Sequence, residues 1–246
     1  MNYDKINELK RELDVLRPLP AAAVRNLEEV YRIEWTYNSN AIEGNTLTLL
    51  ETKLVLEEGL TIGGKKLREH FEVINHSEAI SYVQDIVSRN MNLTESVIKS
   101  IHHLVLKNID DENAGRYRTI NVRISGSQHE PSHFTVVQEK MESLLRWYDK
   151  HEGVIHPVEL AAKFHFQFVY IHPFSDGNGR TARLIMNLIL MKFGFPPAIV
   201  KASAGDRLRY YETLEEASVN NNLDGFIQII VECVEDSLKK YIQTVK

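Results

Sequence analysis

Cysteine is almost missing from this chain. Cys233 is the only one in 246 residues, so no disulfide can close within the chain and no zinc site can be built on several thiolates. It falls in the periodic apolar run Phe226, Ile229, Ile230, Cys233, Val234 and reads as a buried thiol. Long apolar runs are missing too, since none approaches the roughly 18 consecutive residues of a membrane span. Met1 to Arg17 alternates charged with apolar residues, unlike a signal peptide. The expectation is a soluble, cytoplasmic protein with no membrane partner. An excess of positive charge is also lacking: 29 Lys and Arg stand against 34 Asp and Glu, a net charge of -5, with no basic stripe to compensate. Such a surface repels phosphate backbones, and nucleic acid is not an expected partner. Internal repeats, low-complexity tracts and flexible linkers are absent as well.

What is present is helical. With 43% hydrophobic residues the chain can bury a sizeable core. Ile6, Leu9, Leu13 and Leu16 trace one stripe before Pro18 and Pro20 stop it, and Val24, Leu27, Val30 and Tyr37 trace a second that ends near Gly44. Thr48 with Glu51 is a capping box opening a helix to about Gly59, Arg68 to Ser88 reads as another, and Thr94 opens the next. Between Thr119 and Gly126 the period changes: Val122 and Ile124 alternate with Arg123 and Ser125 before Gly126 and Pro131, the pattern of one short β-hairpin. Helices resume over 134–150, 157–170, 181–193, 207–218 and 223–242. The fold class is therefore all-α with a single hairpin, packed as one helical unit.

The chemistry concentrates in Ile171-His172-Pro173-Phe174-Ser175-Asp176-Gly177-Asn178-Gly179-Arg180-Thr181-Ala182-Arg183, which joins two helices. Gly177 and Gly179 let the backbone bend and approach a ligand, and the N-H groups of the following helix end attract anions. This is a phosphate cradle. Arg180 and Arg183, three apart, can face the same anionic site. Asp176 beside bound phosphates is a candidate Mg²⁺ ligand, and His172 supplies a titratable base. A Gly-Asn-Gly turn or a histidine at a helix end is, by itself, usually structural. Base, carboxylate, anion-binding turn and two arginines within a dozen residues form a set that a purely structural loop has no reason to assemble.

At these residues the sequence resembles the Fic family, whose signature His-x-Phe-x-(Asp or Glu)-Gly-Asn-Gly-Arg-x-x-Arg is matched at every fixed position. The resemblance extends over Gly115-Arg116-Tyr117-Arg118, the hairpin, and Gly194-Phe195-Pro196-Pro197 with Tyr210-Tyr211. It implies a protein adenylyltransferase that moves AMP from ATP to a Ser, Thr or Tyr hydroxyl of a target protein. His172 would be the general base and Asp176 the Mg²⁺ ligand. Gly177, Asn178 and Gly179 would bind the α- and β-phosphates, with Arg180 in support and Arg183 on the γ-phosphate. Relatives that transfer a whole phosphate carry a bulkier residue and a lysine in place of Gly177 and Gly179, so the resemblance implies the AMP-transferring orientation. The hairpin, with Val122, Arg123, Ile124, Ser125 and Gly126, would be a flap to which the target adds a strand. Tyr210 and Tyr211 would border the adenine. Adjacent residues on a helix face different ways, so one of the two tyrosines is expected to touch the base and the other to pack.

Upstream, Ser39-Asn40-Ala41-Ile42-Glu43-Gly44 resembles the family's inhibitory motif. Ser39 and Glu43, four apart, stack on one helix face, and Gly44 can close the helix in a left-handed conformation. A carboxylate at a helix C-terminus is unfavourable unless a cation meets it, and the resemblance proposes Arg183. Residues 1–92 would then be an N-terminal region bearing the inhibitory helix, and residues 93–246 the catalytic core. Other readings compete: an enzyme that mainly removes AMP or works in both directions, and a noncatalytic nucleotide-binding module. His129-Glu130-Pro131-Ser132-His133 carries the letters of a zinc-protease motif, but Pro131 would break the helix that chemistry needs. His102, His103 and His165, on apolar helical stretches, are given no role. A homo-oligomer is left open.

Overall fold

The structure, a computed structural model, describes residues 2–246, and among them it contains ten α-helices, one 3-10 turn and no strand. The helices are α1 (Asp4–Val15), α2 (Ala21–Ile42), α3 (Leu49–Glu58), α4 (Leu67–Ser88) and α5 (Glu95–Leu106). After a long connection follow α6 (Val137–His151), α7 (Pro157–Ile171), α8 (Asn178–Lys192), α9 (Ala204–Asn220) and α10 (Asp224–Val245). Their ends follow local chemistry. Thr48 accepts from the Glu51 N-H while Glu51 returns a bond to the Thr48 N-H, so the capping box that opens α3 is complete. Pro157 occupies the first turn of α7, where its missing N-H costs nothing.

Helix α8 runs through the centre, packed against α4, α5 and α7. It is buried on every side from Arg180 to Leu190, and the two polar side chains of that stretch beyond the first turn, Arg183 and Asn187, are both hydrogen-bonded inside the protein. Fully covering Leu184, Ile185, Leu188 and Ile189 contributes about 1.5–3 kcal/mol each. This burial fixes the helix whose first turn carries the signature. The main core gathers side chains from every helix except α3. A smaller cluster of Leu47, Val55 and Val73 seats α3 on α4.

The expected β-hairpin does not form. Residues 119–133 run without regular structure apart from a turn at Ser125 and Gly126, closed by the Ser127 N-H on the Ile124 carbonyl at 3.2 Å. The burial pattern still alternates as the sequence implied: Val122 and Ile124 are half-buried, while Asn121, Arg123 and Ser125 are exposed. The ladder fails because the returning arm is engaged elsewhere. The Gln128 N-H and the Ser127 hydroxyl both donate to Glu215 on α9, and Pro131 has no N-H to give. An isolated two-stranded ribbon is also only marginally stable in water.

Candidate active site

Three chain segments meet at the N-terminus of α8: the α7–α8 connection, the C-terminal end of α2, and the first turn of α4. His172 ends α7 in a left-handed conformation, φ 53° and ψ 62°. Burial, helped by the nearby Arg118 charge, pushes its imidazole down to about 4, so it is neutral at pH 7 and able to accept a proton. The chain then turns at Gly177, whose φ of 73° suits a residue without Cβ. A Cβ there would also meet Val105 at 3.2 Å. The first helical bond of α8 is the Thr181 N-H to the Gly177 carbonyl, at 3.0 Å. The N-H groups of Asn178, Gly179 and Arg180 precede it and point out of the helix end toward any anion placed there.

The side chain of Asn178 is not part of that anion site. It accepts from the Phe174 N-H and donates to the Phe174 carbonyl, both at 2.9 Å, and so holds the loop shut. Only its backbone N-H is left for phosphate. Asp176 accepts from Gly177 N-H at 2.6 Å, from Arg68 of α4 at 2.6 Å and from Arg180 at 3.3 Å. Burial would raise its pKa, but the Arg180 charge, the Gly177 N-H and Arg68 outweigh that and hold it below the usual range. It is an anion at neutral pH. Arg180 is 2% exposed, and its Nε and Nη1 have no hydrogen-bond partner among the described residues. Its contacts to Asp176 and to Glu72, at 3.4 Å, are long. Arg180 thus has spare donors.

Arg183 has almost none. Nε donates to the Ser39 hydroxyl at 3.0 Å, Nη2 to the Ser39 carbonyl at 2.8 Å and to Glu43 Oε1 at 2.7 Å, and Nη1 to the Tyr210 hydroxyl at 3.3 Å. Although burial would lower its pKa, Tyr210 and Glu43 more than compensate and keep it charged. Helix α2 stops as the sequence implied, with Gly44 at φ 96° and the Asn45 N-H returning to the Asn40 carbonyl at 3.1 Å. This end lays the Glu43 carboxylate against the cradle itself: a Cβ on Gly179 would collide with Glu43 Oε1. Glu43 occupies space that only a glycine leaves open.

The tyrosine pair splits. Tyr210 is 1% exposed, and its hydroxyl sits between Arg183 and His165 Nε2, the latter at 3.0 Å. Tyr211 is 41% exposed, and it donates to the Ile42 carbonyl at the end of α2, at 3.0 Å. His129 and His133 lie on irregular chain and serve local bonds, to the Tyr170 carbonyl and to Thr135, so the His-Glu-Pro-Ser-His letters form no helical pair. No group of three or more His, Cys, Asp or Glu side chains is gathered as for a metal among the described residues. A single carboxylate beside a phosphate cradle nevertheless suits Mg²⁺, which takes one or two protein oxygens and completes its shell with phosphate and water.

Sequence reasoning missed three supports. His102 accepts the Gly115 N-H on Nδ1 and donates from Nε2 to the Asp176 carbonyl, both at 2.9 Å, while stacking on Phe174 at 3.5 Å. Arg118 binds the His172 carbonyl at 2.8 Å, and Arg68 caps Asp176. The one available signal was Arg118's place in Gly115-Arg116-Tyr117-Arg118, which carried no role.

Residues 92–190 match the family model Fic/DOC family. A "Protein adenylyltransferase Fic" of Nematostella vectensis is 39% identical over 98% of this chain and 56% of its own length. The structure of Fic-1 (residues 134–508) from Caenorhabditis elegans superposes with a TM-score of 0.87 at 34% identity, covering 97% of this chain and 71% of that one. A Fic domain containing signaling protein from Bacteroides thetaiotaomicron gives a TM-score of 0.91 at 28% identity, with 98% and 97% covered. The chain belongs to the Fic/DOC family. It spans about half the length of the curated relatives it matches.

Proposed function

We propose that the chain is a protein adenylyltransferase, with ATP as donor and a Ser, Thr or Tyr hydroxyl of a target protein as acceptor. The observation that carries this reading is a neutral histidine at the end of α7, joined by a tightly held loop to an anion-binding helix end with a charged arginine pair. His172 takes the proton of the acceptor hydroxyl. The oxygen then forms a bond to the α-phosphorus as the bond from that phosphorus to the bridging oxygen breaks, and pyrophosphate leaves. The N-H groups of Asn178, Gly179 and Arg180 hold the phosphates, Arg180 lends its spare donors, and Arg183 takes the γ-phosphate once Glu43 has moved. Asp176 would hold Mg²⁺, which supplies charge neutralisation to the phosphates when bound. Tyr211 would border the adenine, and Tyr210 would brace Arg183 from behind.

Residues 1–92 supply the brake in this reading and residues 93–246 the catalytic core. Glu43 competes with the γ-phosphate for one guanidinium and fills the space over Gly179. Residues 122–126, with alternating exposure and unladdered backbone, suit an extended target segment that adds as a strand. The test is mass spectrometry of lysate incubated with ATP and the Glu43→Gly protein. The expected result is a mass increase of one AMP on Ser, Thr or Tyr. ATP binding with no covalent AMP on any protein would leave only a nucleotide-binding module.

A further inference from the structure

Arg118 stands out as a cation with no anion. It is 4% exposed, and no carboxylate lies within ion-pair distance of it among the described residues. Burial pushes its pKa down. A buried guanidinium is costly to keep unless every donor is used, and this one is spent on backbone carbonyls of three separate segments. Nε donates to the His172 carbonyl at 2.8 Å, Nη1 to the Ile120 carbonyl at 2.8 Å, and Nη2 to the Ser132 carbonyl. Its own N-H reaches the Pro173 carbonyl at 3.0 Å. Ile120 and Ser132 are the two feet of the irregular loop whose tip is the proposed flap. His172 and Pro173 are the end of α7, where carbonyls without helical partners carry partial negative charge.

We propose that Arg118 is a positioning residue that couples the flap to the base: it sets the peptide plane of His172 from the same fork that closes the two feet of the loop. The inference rests on the reading of His172 as the base. His172 is held in the left-handed region, which a residue with a side chain keeps only when its surroundings over-determine it. Phe168 fixes it from the helix side, through the His172 N-H at 3.0 Å. Arg118 fixes it from the other. A target segment that orders the loop therefore also orders the base, through one rigid planar group. Lysine could not do this, because a single ammonium lacks the fixed fork that spans three carbonyls.

The test uses Arg118→Lys, which keeps the charge and loses the fork, and Arg118→Gln, which keeps some donors and loses the charge, both with Glu43→Gly. Three quantities are read: ATP affinity by calorimetry, label passed from α-labelled ATP onto the chain itself, and amide exchange over 119–133 and at Arg118, His172 and Phe174. The expected result is ATP affinity within about twofold of the background, since Arg118 touches no nucleotide residue. Label should fall about 10²-fold in Arg118→Lys, as misplacing a reacting group by about an ångström does. Exchange should quicken in both segments together. Quickening in one segment alone, or label equal to the background, overturns the inference.

Asn121→Ala covers the case in which the Arg118 variants do not fold. Asn121 accepts the Phe134 N-H at 3.0 Å and steadies the loop, and its side chain is not among the hydrogen-bond partners of Arg118. Its loss should quicken exchange at His172 and Phe174 as well as in the loop. A response confined to the loop refutes the coupling. His172→Ala in the same background separates the two readings. Label surviving in it sinks the base reading, whereas its silence beside fully active Arg118 variants sinks only the role of Arg118.

Discussion

The corner where α2 meets α8 and the loop over residues 119–133 are built in opposite ways. At the corner, Arg183 is saturated by Ser39, Glu43 and Tyr210, and Asn178 closes on Phe174. In the loop the backbone of residues 121–124 has no ladder, and only the feet and the returning arm are tied. Groups that must hold a transition state gain from being fixed before the substrate arrives. Groups that must pair with a strange strand gain from being left unpaired until it does. The contrast explains why one region could be read in detail from its letters and the other could not.

The sharpest way to break the contrast is at the base. In the Glu43→Gly background, His172→Ala should lower transfer by about 10²–10⁴-fold, the range for removing a general base. ATP affinity, measured by calorimetry, should hold within about twofold, because the imidazole does not hold the nucleotide. Parent-like labelling by this variant would end the assignment.

Next in size is the release of Glu43. Glu43→Gly should raise labelling from α-labelled ATP by about tenfold or more, equivalent to at least about 1.4 kcal/mol of competition removed. Arg183→Ala in the same protein should cancel the gain, since both changes act through one contact and cannot add. A glutamate that only shaped a helix end would, when replaced, cost stability and give no gain.

The flap should respond more weakly and separately. Val122→Pro or Ile124→Pro removes one edge N-H, and should reduce target labelling about fivefold to tenfold, about the worth of one hydrogen bond. ATP affinity and the thermal midpoint should stay as in the parent. A flap substitution that weakens ATP binding would show that the two regions are not separate.

A last effect falls on stability and not on transfer, and it is graded with pH. His102 and His172 are held down to about 4 by burial, and His76 and His165 well below their ordinary value for the same reason. The unfolded chain takes up these protons near 6.5 while the folded one refuses them, so stability is intact above about pH 7 and falls as pH drops from 6.5 toward 4. Each histidine contributes a slope of about 1.4 kcal/mol per pH unit within that window. Urea midpoints between pH 7 and 4.5 would show this, and His76→Gln should reduce the slope by one proton. A flat profile would mean that these rings are not kept neutral by the fold.

The helices were legible because their signals are local. The 3.6-residue stripe, the Thr48 capping box and Gly44 each act within a few residues of where they sit in the chain. The signature from His172 to Arg183 was legible because its chemistry is contiguous. His102, Arg118 and Arg68 were not, because each acquires its meaning from a partner far along the chain: Asp176 lies 74 residues from His102 and 108 from Arg68. The hairpin was misread for a related reason. Alternation at Val122 and Ile124 reports an extended segment with two faces, and it cannot report that Glu215 has captured the opposite arm. Tyr210 and Tyr211 look alike in sequence, and only the packing of α9 separates the buried tyrosine from the open one.

The carboxylate that fills the space over Gly179 is joined to the site by its own backbone, and in the proposed mechanism it behaves as a bound competitor that never diffuses away. Short tethers give effective concentrations on the order of millimolar, so added ATP displaces such a competitor only gradually. Loosening the end of α2 works differently, because it lowers the local dose of inhibitor at once, and a change of about 1.4 kcal/mol there shifts the occupied fraction tenfold. Output would then follow whatever touches the last turn of α2, including the Tyr211 bond to Ile42, more steeply than it follows the supply of nucleotide.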